Sequence, residues 1–247
     1  DPVAQFEIGS RYADGFGVKP DMQAAVSWYR RSASQGLAPA LYRLGSLLEH
    51  GRGAAQDKPT AAALYEKAAE KGNTKAMYNL GVLNAQGSLE KPNFKAAAKW
   101  FTKAAEAGIK DGQFNLAILH ARGMGVKTDL EEAYFWFAVA AKDKDPDAVA
   151  KRDALGQDLI TEVRQKLDAK VAQWRPVKLP ANANNVSMPK EGWLAVKVPA
   201  DAENRLASHA KNSKGKTPAV DDGIQAIFKQ VGAINGNQDV GDTESRI

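Results

Sequence analysis

At 247 residues, 44% hydrophobic and 26% charged, the chain has the size and usage of a folded protein with one large domain or two small ones. Its formal charge of +5 is spread thinly, with 19 Lys and Arg against 16 Asp and Glu over residues 1–145, so the clustered cations that grip a phosphate backbone are missing and nucleic acid is not an expected partner. The absence of cysteine removes disulfides, thiolate metal sites and a thiol nucleophile together, and no apolar run approaches the roughly 18–20 residues a membrane span needs. The sequence opens at Asp1 with no leader pattern, so any membrane tether is expected upstream of it.

The chain begins with a sentence that it repeats. Residues 4–36, AQFEIGSRYADGFGVKPDMQAAVSWYRRSASQG, recur three more times at a shift of 36 residues without insertion or deletion. The shift aligns Gly9 with Gly45 and Gly81, and Ala25 with Ala61, Ala97 and Ala133. It also aligns Trp28 with Leu64, Trp100 and Trp136, and Tyr29 with Tyr65, Phe101 and Phe137. A fixed period of this length marks a stacked array.

Each unit reads as two helices. In the first, Ala4, Ile8 and Tyr12 fall at i, i+4 and i+8, the stripe of an amphipathic helix. A turn with Gly15 and Gly17 follows, and the second helix starts behind a periodic column of N-cap residues, Asp21, Asp57, Asn93 and Asp129. Gly36, Gly72 and Gly108 close it. The columns of Ala and Gly thin the contacts where helices cross, leaving room for large residues such as the tryptophans between layers. In that register Trp28, Trp100 and Trp136 are core, not a sugar-stacking surface.

The pattern A-x-[FY]-x-[LI]-G-x-x-[YL]-x-x-G-x-G, followed by A-x-x-[WL]-[YF]-x-x-[AS]-A-x-x-G, resembles the Sel1-like repeat family, relatives of the tetratricopeptide repeat with a longer unit. It covers residues 4–39, 40–75, 76–111 and 112–145. The resemblance implies an all-α fold, a right-handed α-solenoid of four 36-residue helix pairs. The fourth unit departs from the pattern, with Ala117 for the first-helix glycine, Gly112 for the opening alanine and Lys144 at the close. Such changes suit a terminal unit with a different neighbour.

In tetratricopeptide-like arrays the first helices line a concave groove. The resemblance therefore implies a groove of Glu7, Arg43, Asn79 and Asn115, with Arg11, Leu47, Leu83 and Leu119 one turn on and His50, Gln86 and Arg122 a further turn on. Leu47, Leu83 and Leu119 would be its apolar floor, and the amide and guanidinium donors beside them suit the backbone or a carboxylate of an extended protein or peptide partner. Asn79 and Asn115 are the residues expected to touch it. The alternative, that these are solvated helix positions, stays open.

Beyond the repeats, residues 146–175 are expected to form one capping helix, with Leu159, Val163, Leu167, Val171 and Trp174 as its stripe. Residues 176–220, rich in Pro and Asn, read as a linker too poor in large apolar groups to offset its ordering entropy; Trp193 within it either docks on a folded surface or is exposed. Residues 221–247 resemble the opening helix of small peptidoglycan-binding modules through Ile224, Gln225 and Phe228, but Gly236 and Gly241 lie too far apart for the loop that should follow, so the segment is degenerate or truncated.

The histidines His50, His120 and His209 show no ligand spacing, and no nucleophile elbow, phosphate loop or dinucleotide fingerprint occurs. No metal, no cofactor and no catalysis are expected. The order of parts resembles the periplasmic region of alphaproteobacterial polarity and localisation factors of the PodJ type. That resemblance implies a non-enzymatic interaction scaffold of the bacterial envelope, in the periplasm, serving cell polarity. Two alternatives stay open: a periplasmic Sel1-like regulator that binds a sensor kinase, and a module in contact with peptidoglycan.

Overall fold

The computed structural model describes residues 1–186, and among them the chain is all-helical. Four hairpins follow one another: α1 Pro2–Asp14 with α2 Met22–Ser34, α3 Ala38–Glu49 with α4 Lys58–Glu70, α5 Thr74–Ala85 with α6 Phe94–Glu106, and α7 Lys110–Arg122 with α8 Leu130–Ala140. Each helix packs on its neighbours in sequence, which is the nearest-neighbour stacking of an α-solenoid.

One local device, used four times, shapes the hairpins. Asp21, Asp57, Asn93 and Asp129 each accept the N–H three residues ahead through a side-chain oxygen, at 2.9, 3.0, 3.0 and 2.9 Å. The same residues send their own N–H back to the preceding helix, to the carbonyls of Tyr12, Leu48, Asn84 and His120 at 2.8–3.0 Å. One side chain therefore satisfies an orphan donor of the new helix while its backbone pins the turn to the old one.

Packing obeys the period equally. Phe6–Tyr29, Tyr42–Tyr65, Tyr78–Phe101 and Phe114–Phe137 form four ring pairs with centroids 5.2–5.9 Å apart. The second ring of each of the first three pairs lies flat against a first-helix glycine, and a Cβ placed on Gly81 would come within 2.5 Å of the Phe101 ring. In the fourth unit Ala117 brings that methyl group, and the pair there turns edge-on at 74°, against 31–51° in the others. Trp100 and Trp136 are buried, as the register requires, while Trp28 is half-buried with Arg31 4.8 Å above its ring.

Two helices, not one, close the array. After a 3-10 turn at Ala141–Asp143 come α9 Pro146–Asp158 and α10 Thr161–Gln173, separated by extended backbone at Leu159 and Ile160. A continuous helix from Pro146 to Gln173 would run about 42 Å, while the 11 residues of α8 on which it must pack span about 16 Å. The break lets both halves cover α8. The expected stripe does lie inward: Leu167 is buried, and Leu159, Val163, Val171 and Trp174 pack on the same core.

Candidate functional site

The expected groove dissolves in part. Asn115, Leu83 and Leu119 are 0%, 1% and 0% exposed, so none of them lines a surface, and an apolar floor built on Leu83 and Leu119 does not exist. Leu47 is half-buried against the core. Arg11, Arg43, His50, Gln86 and Arg122 do reach solvent, with Glu7 and Asn79 half-buried beside them. The His50 imidazole is tied back to the Ser46 carbonyl at 2.9 Å, and Arg11 lies 6.0 Å from the ring of Phe16, which is 75% exposed. What remains is a polar face, richer in cations than in carboxylates.

The reason lies in a second register. Asn79 donates to the Tyr65 hydroxyl at 3.1 Å, fourteen residues back, and Tyr65 donates to Glu49 Oε2 at 2.6 Å. Burial, the Glu49 charge and that bond all raise the Tyr65 pKa far above that of a free phenol. The same offset sets Arg43 near Tyr29, whose hydroxyl meets Ser10 at 3.0 Å and whose pKa burial also raises. Counted from Asn115, the same offset falls on Phe101, which carries no hydroxyl. Asn79 and Arg43 thus answer the ring of the preceding unit, so variation between units is not by itself the mark of a binding face.

The segment read as a linker has a site of its own. Trp174 packs edge-on against Trp136 at 6.1 Å, with Lys142 5.5 Å above its ring. The chain then runs back along the turns that join consecutive units. Val177 donates its N–H to the Glu106 carbonyl at 2.8 Å, and Leu179 packs into the core. The Asn73 side-chain amide donates to the Ala183 carbonyl at 2.7 Å, while Asn184 Oδ1 accepts from the Thr74 N–H at 2.8 Å and from its hydroxyl at 3.0 Å. Asn184 thereby satisfies an orphan donor at the start of α5 from 110 residues away. Ala183 is only 1% exposed.

Glycine makes this edge possible. Gly72 and Gly108 adopt φ of +90° and +89° to end their helices, and the space a side chain would fill is where Pro180 and Pro176 lie, each 3.1 Å from the Cβ position. The strap thus borrows partners that its own composition could not supply. Its advance signal was faint: the column Asp1, Leu37, Asn73, Ile109, Asp145 holds three N-cap residues, and only Asn73 among them carries an amide that can also donate to the Ala183 carbonyl.

A third feature is a cleft of about 610 Å³ between α8, α9 and α10, lined by Tyr134, Arg152, Asp153, Gly156, Gln157, Arg164 and Asp168. Its charges are already engaged. The Tyr134 hydroxyl donates to Asp168 at 2.7 Å, and burial together with that carboxylate pushes its pKa up to about 12. Arg152 pairs with Asp153 at 2.6 Å and Arg164 donates to the Gly156 carbonyl at 3.2 Å. Among the described residues no three His, Asp or Glu side chains gather as a metal site, and no helix is long and apolar enough to cross a membrane.

The fold and its surfaces define a tandem helical-repeat protein, an α-solenoid of four hairpins with a two-helix cap. The profile of the Sel1 repeat matches residues 2–37, 38–73, 74–109 and 110–145, more than half of the chain, and the protein belongs to the Sel1 repeat family. These limits begin two residues before the framing at residue 4 and meet the helix starts. Among solved structures, a Sel1 repeat protein from Oxalobacter formigenes is 28% identical with a TM-score of 0.61, over 72% of this chain and 75% of that one. The protective antigen c5321, present in uropathogenic Escherichia coli strains and displaying an SLR fold, is 23% identical with a TM-score of 0.44, over 90% of this chain and 50% of that one. No curated protein matches the chain.

Proposed function

We propose that this protein is a non-enzymatic scaffold of the bacterial cell envelope, acting in the periplasm as part of a cell-pole localisation factor. Sel1 repeats are in general protein–protein interaction scaffolds. The observation that carries the reading for this chain is the strap: the array holds an extended segment by main-chain and amide hydrogen bonds at its unit junctions, which is the grip a peptide partner requires. The polar first-helix face, with Arg11, Arg43, His50, Gln86 and Arg122 exposed, supplies a second surface free of such an occupant among the described residues. Support for the envelope and the pole comes from the order of parts alone. The peptidoglycan-like segment at 221–247 lies outside the described residues, as do Trp193 and His209.

A fluorescent fusion to the intact protein in its host tests the reading, paired with protease digestion of spheroplasts. The expected result is a polar focus, digestion from the periplasmic side, and loss of the focus in an Arg11→Glu, Arg43→Glu variant of unchanged helicity. A diffuse wild-type signal, or protection from external protease, overturns it. Sedimentation with purified sacculi separates scaffolding from glycan binding: the scaffold stays in the supernatant.

A further inference from the structure

Three inner units show what a first helix carries on its outer side. There α3, α5 and α7 each pack on the second helix of the unit before, α2, α4 and α6. Ala40 and Ala76 are 0% exposed, and Leu44, Leu80 and Leu116 at most 3%. Their counterparts in α1, Ala4 and Ile8, are only half-buried, as are Gln5 and Tyr12 on the same stripe. Among the described residues no second helix covers them.

The turn behind α1 is uncovered in the same way. A Cβ on Gly53 would collide with the Met22 carbonyl and one on Gly125 with the Phe94 backbone, because each turn sits on the start of the preceding second helix. Gly17 has the same left-handed backbone, φ +75°, yet its Cβ position meets nothing closer than the tip of Arg11 at 3.9 Å. Met124 and Val126 pack on the core, whereas their counterparts Phe16 and Val18 are 75% and 39% exposed. A cavity of about 540 Å³ opens beside them, lined by Tyr12, Val18, Lys19, Pro20 and Asp21.

We infer that the outer face of α1 and its turn dock a helix of a partner protein, built like α6. The template is α6 because the helix it covers, α7, repeats the α1 face: Gln113 stands where Gln5 does, and Gly112 where Ala4 does. Gln113 donates to the Ala105 carbonyl at 3.2 Å, and the Cβ position of Gly112 lies 2.8 Å from the Ala104 Cβ. The partner helix therefore carries two adjacent small residues in its last turn, set over Ala4, and a carbonyl there for the Gln5 amide, whose Oε1 already accepts from Gln35 at 2.6 Å. At the rim Arg11 replaces the leucines Leu47, Leu83 and Leu119, which gives a carboxylate of the partner its place. A second copy cannot supply the helix, since its α2, α4 and α6 are covered by the next unit and its α8 by the two-helix cap. The inference rests on the repeat packing and not on the envelope reading.

Two measurements on the full chain test it. A copy of residues 74–109 joined ahead of Pro2, in place of Asp1, sets a second α6 at the face in the 36-residue register. The Ile8 and Tyr12 amides should then exchange at least tenfold more slowly and the added α6 should be protected; Ile8→Asp should remove both effects and leave α3 to α8 unchanged. An unprotected copy overturns the inference. In the unextended chain, photoreactive benzoylphenylalanine in place of Phe16, and separately of Ile8, should link in the host to one helix of one partner protein bearing adjacent small residues, at least tenfold more than in place of the exposed Ile160. No adduct at either position, or links to a second copy or to a segment without that small pair, overturns it.

Discussion

The first-helix face and the inter-unit edge carry opposite lessons. Along the first-helix face the residues vary from unit to unit, yet Asn115, Leu83 and Leu119 are core and Asn79 serves the Tyr65 hydroxyl. Along the edge Gly36, Gly72 and Gly108 repeat, yet it is there that an extended segment is held, over Gly108 and Gly72. In a solenoid, variation between units records local packing as readily as recognition, and a repeated small residue can be a landing as well as a turn.

The largest effect that would break this contrast is expected at Leu119. Leu119→Ala should lower unfolding free energy by about 3 kcal/mol in urea titration, because it opens a cavity in a core; a neutral result would return Leu119 to a surface. At the edge, Asn73→Ala should cost about 2 kcal/mol, since it orphans the Ala76 N–H and the Ala183 carbonyl together, and Asn184→Ala about 1 kcal/mol. Equal stability of both variants and the wild type would detach the strap.

The tyrosines sharpen the comparison through pH. Tyr134 and Tyr65 bind their protons more tightly folded than unfolded. As pH rises past about 10 the unfolded chain loses these protons first, so stability should fall, for Tyr134 across the interval from about 10 to about 12. Tyr134→Phe should flatten that part of the profile, measured as thermal midpoint against pH; an unchanged slope would refute the Asp168 contact. The smallest effect is expected at Arg43, where Arg43→Ala should change stability by less than about 0.5 kcal/mol. A loss comparable to that of Leu119→Ala would make the exposed face structural.

Much of the fold was legible because the period states it: Asp21, Asp57, Asn93 and Asp129 cap as their column requires, and Trp100 and Trp136 are core. The break at Leu159 and Ile160 was not, since a stripe at helical spacing reads the same through a two-residue interruption that only the length of α8 demands. The candidate site was less legible. The depth of Asn115 depends on its neighbours across units, and the strap depends on bonds such as Asn73 to Ala183, between residues 110 apart. Neither has a local sequence signature, since Asn73 shares its column with the capping residues Asp1 and Asp145.

Amide hydrogen exchange on the intact chain tests the central claim, that the inter-unit edge holds an extended segment. The N–H of Val177, bonded to Glu106, and that of Thr74, bonded to Asn184, should exchange at least tenfold more slowly than an unstructured peptide, and Asn184→Ala should release Thr74 while sparing α5 beyond its first turn. Exchange of Val177 and Thr74 at the free-peptide rate in the wild-type protein would contradict it.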